Sequence, residues 1–140
     1  LEIGKGRVMR EGERIVILSL GTRLAECMKA GEELNATVAD ARFAKPLDEA
    51  LIAELMKNHE LLVTVEEGAP GGFGAHVMHF AAHAGLLDSC RILPLTLPDR
   101  FIDQNNPQTQ YDEAGLNSEQ IIAAIAERLG QKPVLVKKRG

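Results

Sequence analysis

The stretch LLVTVEEGAPGGFG at residues 61–74 sets an apolar run directly before two acidic residues and a glycine-rich turn. With Thr64 as its only hydroxyl, the run suits a parallel strand covered on both faces better than an alternating surface strand. Gly68, Gly71, Gly72 and Gly74 supply backbone freedom or close approach, and the small and apolar residues of 75–84 recur at helical spacing. Strand, turn and helix make half a βαβ unit, and in open α/β sheets ligands and partners meet the fold at such turns.

The remaining chain repeats the alternation. Residues 7–10 form a short strand, 15–18 a β-branched central strand, 37–39 a third strand and 91–95 a fifth, whose Pro94 points to a sheet edge. Few residues separate the first two strands, so they pair antiparallel or the first crosses to the sheet edge. Thr22 is expected to cap a helix carrying Leu24, Ala25, Met28 and Leu34 on its buried stripe. Asp48 is expected to cap the next helix, with Leu47 stapled to Ile52 and an apolar face of Leu51, Ile52, Leu55 and Met56. Gly85 closes the helix after the glycine turn. Residues 103–110 read as loop, Asn117 and Gln120 as a capping box for a last helix, and 131–140 as a disordered tail. The expected fold is a three-layer α/β/α sandwich over residues 1–130, its five-stranded sheet mostly parallel with the first strand antiparallel.

With 140 residues, 45% of them apolar, the chain can bury one real core. A net charge of −4 provides no electrostatic footprint for nucleic acid, and no apolar run approaches a membrane span. Cys27 and Cys90 have no paired spacing and no signal peptide precedes them, so they read as reduced thiols in a cytoplasmic protein.

Gly71, Gly72 and Gly74 before a helix invite a phosphate-binding reading. The dinucleotide spacing would need glycine at Val77, no Lys-Ser/Thr pair follows, and Glu66 with Glu67 would repel an anion. His76, His79 and His83 share a helix at i, i+3 and i+7, yet the stripe of Val77, Phe80, Ala81 and Ala84 leaves them on the solvated side. Adjacent carboxylates on a strand leave on opposite faces, so Glu66 and Glu67 form no converging acid–base pair. One is expected to cap the following helix and the other to pair with Arg42 or Lys45. No nucleophile elbow is present, and no catalytic, cofactor-binding or metal residue emerges. The candidates left are interface or structural residues: Arg42, Lys45, Glu66, Glu67, Gly71, Gly72, Phe73 and Gly74. Phe73 is expected to be exposed between its glycines as part of a docking turn.

Several motifs together resemble the C-terminal domain of the 1-deoxy-D-xylulose-5-phosphate synthases, thiamine-diphosphate enzymes of the transketolase family. They are Ile3-Gly4-Lys5-Gly6; Asp40-Ala41-Arg42-Phe43 with Lys45-Pro46-Leu47-Asp48; Thr64-Val65-Glu66-Glu67-Gly68 with Gly71-Gly72-Phe73-Gly74; and Leu97-Pro98-Asp99 with Phe101-Ile102. The E-E-G and G-G-x-G elements are shared with transketolases and the β subunits of 2-oxo-acid dehydrogenases, and the other motifs narrow the resemblance to the synthases. It implies a homodimeric parent enzyme that condenses pyruvate with D-glyceraldehyde 3-phosphate, with loss of CO2, for isoprenoid, thiamine and pyridoxal biosynthesis. It further implies that thiamine diphosphate and Mg2+ are held by preceding domains, so this chain, a C-terminal fragment, is inactive alone and its partners are those domains. A reading of another class is a self-sufficient α/β module with a regulatory site for an anionic metabolite.

Overall fold

The computed structural model describes residues 3–67, 72–97 and 107–130, with backbone alone for 107–116. Five strands and four helices follow in order: β1 (Arg7–Arg10), β2 (Ile15–Ser19), α1 (Leu24–Leu34), β3 (Thr37–Asp40), α2 (Glu49–Lys57), β4 (Leu61–Glu67), α3 (Gly72–His83), β5 (Arg91–Leu97) and α4 (Pro107–Arg128). A 3-10 turn, Leu86–Asp88, lies between α3 and β5. The sheet order is β1-β3-β2-β4-β5. All pairings are parallel except β1 with β3, where Arg7 faces Asp40 and a bulge between Val8 and Arg10 shifts the register. The first strand thus crosses to the edge instead of pairing with its sequence neighbour. Pro94 sits on the opposite edge strand, where its missing N–H costs no ladder bond.

β4 is buried through six of its seven residues because both its faces are covered. Leu61, Val63 and Val65 join Ile15, Ile17 and Val38 beneath α1 and α4, which supply Cys27, Ala30, Ile121, Ile122, Ile125 and Ala126. Leu62 joins Val16, Leu18, Ala39 and Ile92 beneath α2 and α3, which supply Ile52, Leu55, Met56, Phe73, Val77 and Ala81. The alternation fixes the direction of the strand's last two residues: Glu66 points to the α3 side and Glu67 to the α1 side.

Three local expectations need correction. Thr22 does not cap α1; Arg23 occupies the N-cap position without a side-chain capping bond to the helix backbone, and the Thr22 hydroxyl is committed elsewhere. Leu24, Met28 and Leu34 pack against the core as expected, but the fully buried line of α1 runs through Cys27, Ala30 and Gly31, and Ala25 is exposed. The last helix starts at Pro107, ten residues before the Asn117–Gln120 box, so residues 107–110 are helix and not loop. Proline at a helix's first position has its φ preset and lacks only an N–H that would be orphaned there. The polar composition of 107–116 concealed this start. Residues 103–106 and 131–140 lie outside the described residues.

Candidate interaction site at the carboxyl edge of the sheet

The chain leaves β2 through α1 toward β3 and leaves β4 through α3 toward β5, so the crevice between the carboxyl ends of β2 and β4 is the topological switch point. In open α/β sheets that crevice takes the ligand. Here two carboxylates of the chain fill it. Glu66, 7% exposed, accepts hydrogen bonds from the backbone N–H of Phe73 (3.0 Å, Oε1) and of Gly74 (2.7 Å, Oε2). These are the donors that a phosphate at the start of α3 would use. Glu67, directed to the other face, bridges the switch point: its Oε1 lies 2.8 Å from Nε of Arg23, and its Oε2 accepts from the Thr22 hydroxyl at 3.0 Å. Arg23 is itself buried and also faces Glu26 at 3.9 Å.

One carboxylate therefore caps the helix and the other meets a cation, but that cation is Arg23, not Arg42 or Lys45. No ion pair of Arg42 or Lys45 occurs among the described residues. Sequence reasoning missed Arg23 because it lies at the start of α1, where local pattern suggests an exposed first-turn residue; only the parallel pairing of β2 with β4 brings it beside Glu67.

Phe73 also departs from expectation. It is 2% exposed and packs in the core beneath α2 and α3. Residues 73, 77 and 81 recur every four positions, so Phe73 is the first rung of the stripe continued by Val77 and Ala81. Gly72 opens α3, and a Cβ there would meet only Glu66 Oε1 at 3.8 Å. Gly74 is the tight position: a Cβ would lie 3.1 Å from Thr64 Oγ1, 3.2 Å from Pro94 Cβ and 3.3 Å from Glu66 Oε2. Phe73 is therefore not an exposed docking residue but part of a helix start pressed onto the sheet. Gly68 and Gly71 lie outside the described residues.

The loop after β3 opens at the same edge. Arg42 is held at φ 68°, its N–H donating to Asp40 Oδ1 at 3.1 Å. Ala41 N–H donates to the Ser19 carbonyl at 2.8 Å and Phe43 N–H to that of Ala41 at 2.7 Å. At the far end of the loop Asp48 uses both oxygens, Oδ1 for the Leu51 N–H of α2 (3.1 Å) and Oδ2 for the Gly6 N–H (2.9 Å). Gly4 sits against Pro46 and Gly6 against the Asp40 and Ala41 carbonyls, where a Cβ would lie 3.0 Å from Pro46 Cγ and 2.6 Å from Asp40 O. Two motifs 42 positions apart in sequence, I-G-K-G and K-P-L-D, are therefore one packed unit.

His76, His79 and His83 are exposed, and the last two stack with ring centroids 6.5 Å apart. Among the described residues no three His, Cys, Asp or Glu groups stand close enough to hold a metal. Cys27 and Cys90 are free buried thiols. Burial pushes Cys27 up to about 12, eased by a hydrogen bond with Ser19 and reinforced by Glu26, and burial also raises Cys90. A cavity of about 610 Å3 runs between β1 and α2, from Lys5 and Asp48 at one end to Thr37 and His59 at the other. That ring is fully engaged: Nδ1 is 2.7 Å from the Leu55 carbonyl and Nε2 is 2.8 Å from Thr37 Oγ1, which accepts the Gly12 N–H at 2.9 Å. A carbonyl only accepts, which puts a proton on Nδ1, and in the neutral ring Nε2 then accepts from the Thr37 hydroxyl. This network joins the β1–β2 turn, β3 and α2 as structure.

Comparison with known proteins agrees with this architecture. The family model described as transketolase, C-terminal domain, matches residues 4–121. The 1-deoxy-D-xylulose-5-phosphate synthase 1 of Cannabis sativa, a chloroplastic protein, is 54% identical across 94% of this chain, which spans 19% of its length. A split-gene transketolase solved as an inactive β4 tetramer superposes with a TM-score of 0.74 at 28% identity, over 94% of this chain and 44% of that one. The chloroplastic relative overturns the expectation of a cytoplasmic protein. Reduced thiols suit a plastid equally well. On the strength of the match over 118 of its residues and of the shared sheet topology, the chain belongs to the transketolase C-terminal domain family.

Proposed function

We propose that this chain is the C-terminal domain of a 1-deoxy-D-xylulose-5-phosphate synthase, contributing structure and interdomain contact to an enzyme that joins pyruvate to D-glyceraldehyde 3-phosphate with loss of CO2. The 54% identity over almost the whole chain carries the assignment to the synthases. The occupied switch point supports the division of labour. A diphosphate approaching the start of α3 would meet the Glu66 carboxylate already bonded to its donors, with Glu67 adjacent. The residues described here do not fit thiamine diphosphate, and no metal cluster among them fits Mg2+. Cofactor and metal belong in this reading to other domains of a homodimeric parent. The split-gene transketolase whose β4 assembly is inactive supports a domain without activity alone.

Calorimetry of the 140-residue chain with thiamine diphosphate and Mg2+ is expected to show no binding, while the full-length parent binds both and forms deoxyxylulose phosphate. One-to-one micromolar binding to the chain alone would reverse the division of labour. A full-length protein without synthase activity on these substrates would reverse the assignment.

A further inference from the structure

We propose that the loop 40–48 is a preformed docking surface on which Arg42 presents its guanidinium to a carboxylate on the remainder of the same polypeptide. This rests on the reading of the chain as one domain of a longer enzyme. The first observation is backbone strain. Arg42 holds a left-handed conformation that glycine adopts freely and arginine does not, and the Asp40 carboxylate fixes it there. Strain of this kind persists where the surroundings impose it, and it clusters at ligand clamps and docking sites.

The second observation is what the strain displays. Arg42 and Phe43 are half-buried and Lys45 is exposed, with exposed Lys5 on the adjoining segment, a local excess of cations on a chain of net charge −4. None of the ion pairs among the described residues uses Arg42, Lys45 or Lys5. A guanidinium on a fixed backbone suits a carboxylate, which it meets with two parallel hydrogen bonds and little loss of side-chain freedom.

The third observation selects the partner. The chain spans 19% of its synthase relative, so in this reading most of the polypeptide lies outside it. Residues 4–6, which lead to that remainder, are fastened to the same loop through Asp48 and the Gly4–Pro46 contact. A tether at the edge of the loop holds the remainder at high effective concentration beside Arg42.

Hydrogen–deuterium exchange of loop 40–48, measured in the 140-residue chain and in the full-length parent, tests this. The loop is expected to exchange about tenfold more slowly in the parent, and Arg42→Gln or salt near about 1 M to remove most of that difference, whereas exposed Lys57→Gln leaves it. Arg42→Gln should leave the melting temperature of the 140-residue chain unchanged, because the side chain holds no ion pair within it. Equal exchange in chain and parent would overturn the proposal, as would an equal melting loss in both. Protection that appears in the chain alone as its concentration rises would also overturn it, by identifying a second copy as the occupant. Synthase activity is assayed separately, so failure of the assignment to the synthases is distinguished from failure of the docking surface.

Discussion

At the scale of single residues, the glycines of the α3 start have unequal roles. Gly72→Ala is expected to stabilise the chain by about 0.5 kcal/mol or leave it unchanged, since the residue opens a helix and the new Cβ meets only ordinary contact. Gly74→Ala is expected to cost about 1–3 kcal/mol, because Thr64, Pro94 and Glu66 must all give way. Urea denaturation of the two variants side by side checks the difference. Glu66→Gln should cost about 2 kcal/mol, since an amide offers an N–H donor where Phe73 or Gly74 needs an acceptor. Cys27 contributes in the alkaline range. Its thiol ionises near 9 when unfolded and at about 12 when folded, so the native state keeps its proton while the unfolded state loses it. The stabilisation is intact below pH 9 and falls by about 1.4 kcal/mol per pH unit as pH rises from 9 toward 12, which melting of Cys27→Ala against the parent sequence will show as a flatter alkaline limb.

At the scale of elements, Asp48 ties the start of α2 to the segment before β1. Asp48→Ala is expected to destabilise the chain by about 2 kcal/mol, the sum of a lost cap and a lost hydrogen bond, with Asp48→Asn costing about half. Arg42→Gly should act in the opposite sense. Relief of left-handed strain, about 1–2 kcal/mol, exceeds the added backbone entropy of about 0.5–1 kcal/mol, giving a net gain measurable by thermal unfolding. What the sequence made legible follows the same line between local and distant. The continuous apolar run of β4, the β-branched run of β2, Asp48 as a cap and Pro94 on an edge are written in neighbouring residues, and each is where it was expected. The Arg23–Glu67 pair was not legible, because its members are 44 positions apart and meet only through strand pairing. Phe73 misled because its turn neighbours were weighed over the i+4 and i+8 positions that bury it. The early start of α4 was hidden because residues 107–116 have no apolar stripe to announce a helix.

At the scale of the whole molecule, α4 closes one face of the fold by packing on α1 and β5. Ending the chain after residue 116 would uncover the buried face of α1 and the apolar residues Leu93, Leu95 and Leu97 of β5. Such a truncation is expected to be insoluble or to lose its cooperative melting transition, read by circular dichroism and gel filtration. The two carboxylates at the switch point have a consequence for how this domain can change over evolutionary time. Any variant that gains affinity for a phosphorylated ligand at the α3 start must first lose Glu66, and that loss lowers fold stability before any ligand is present to restore it. The adaptive route to a nucleotide site therefore crosses a valley, and selection on this domain is steered toward its loops and away from the crevice that other open sheets use.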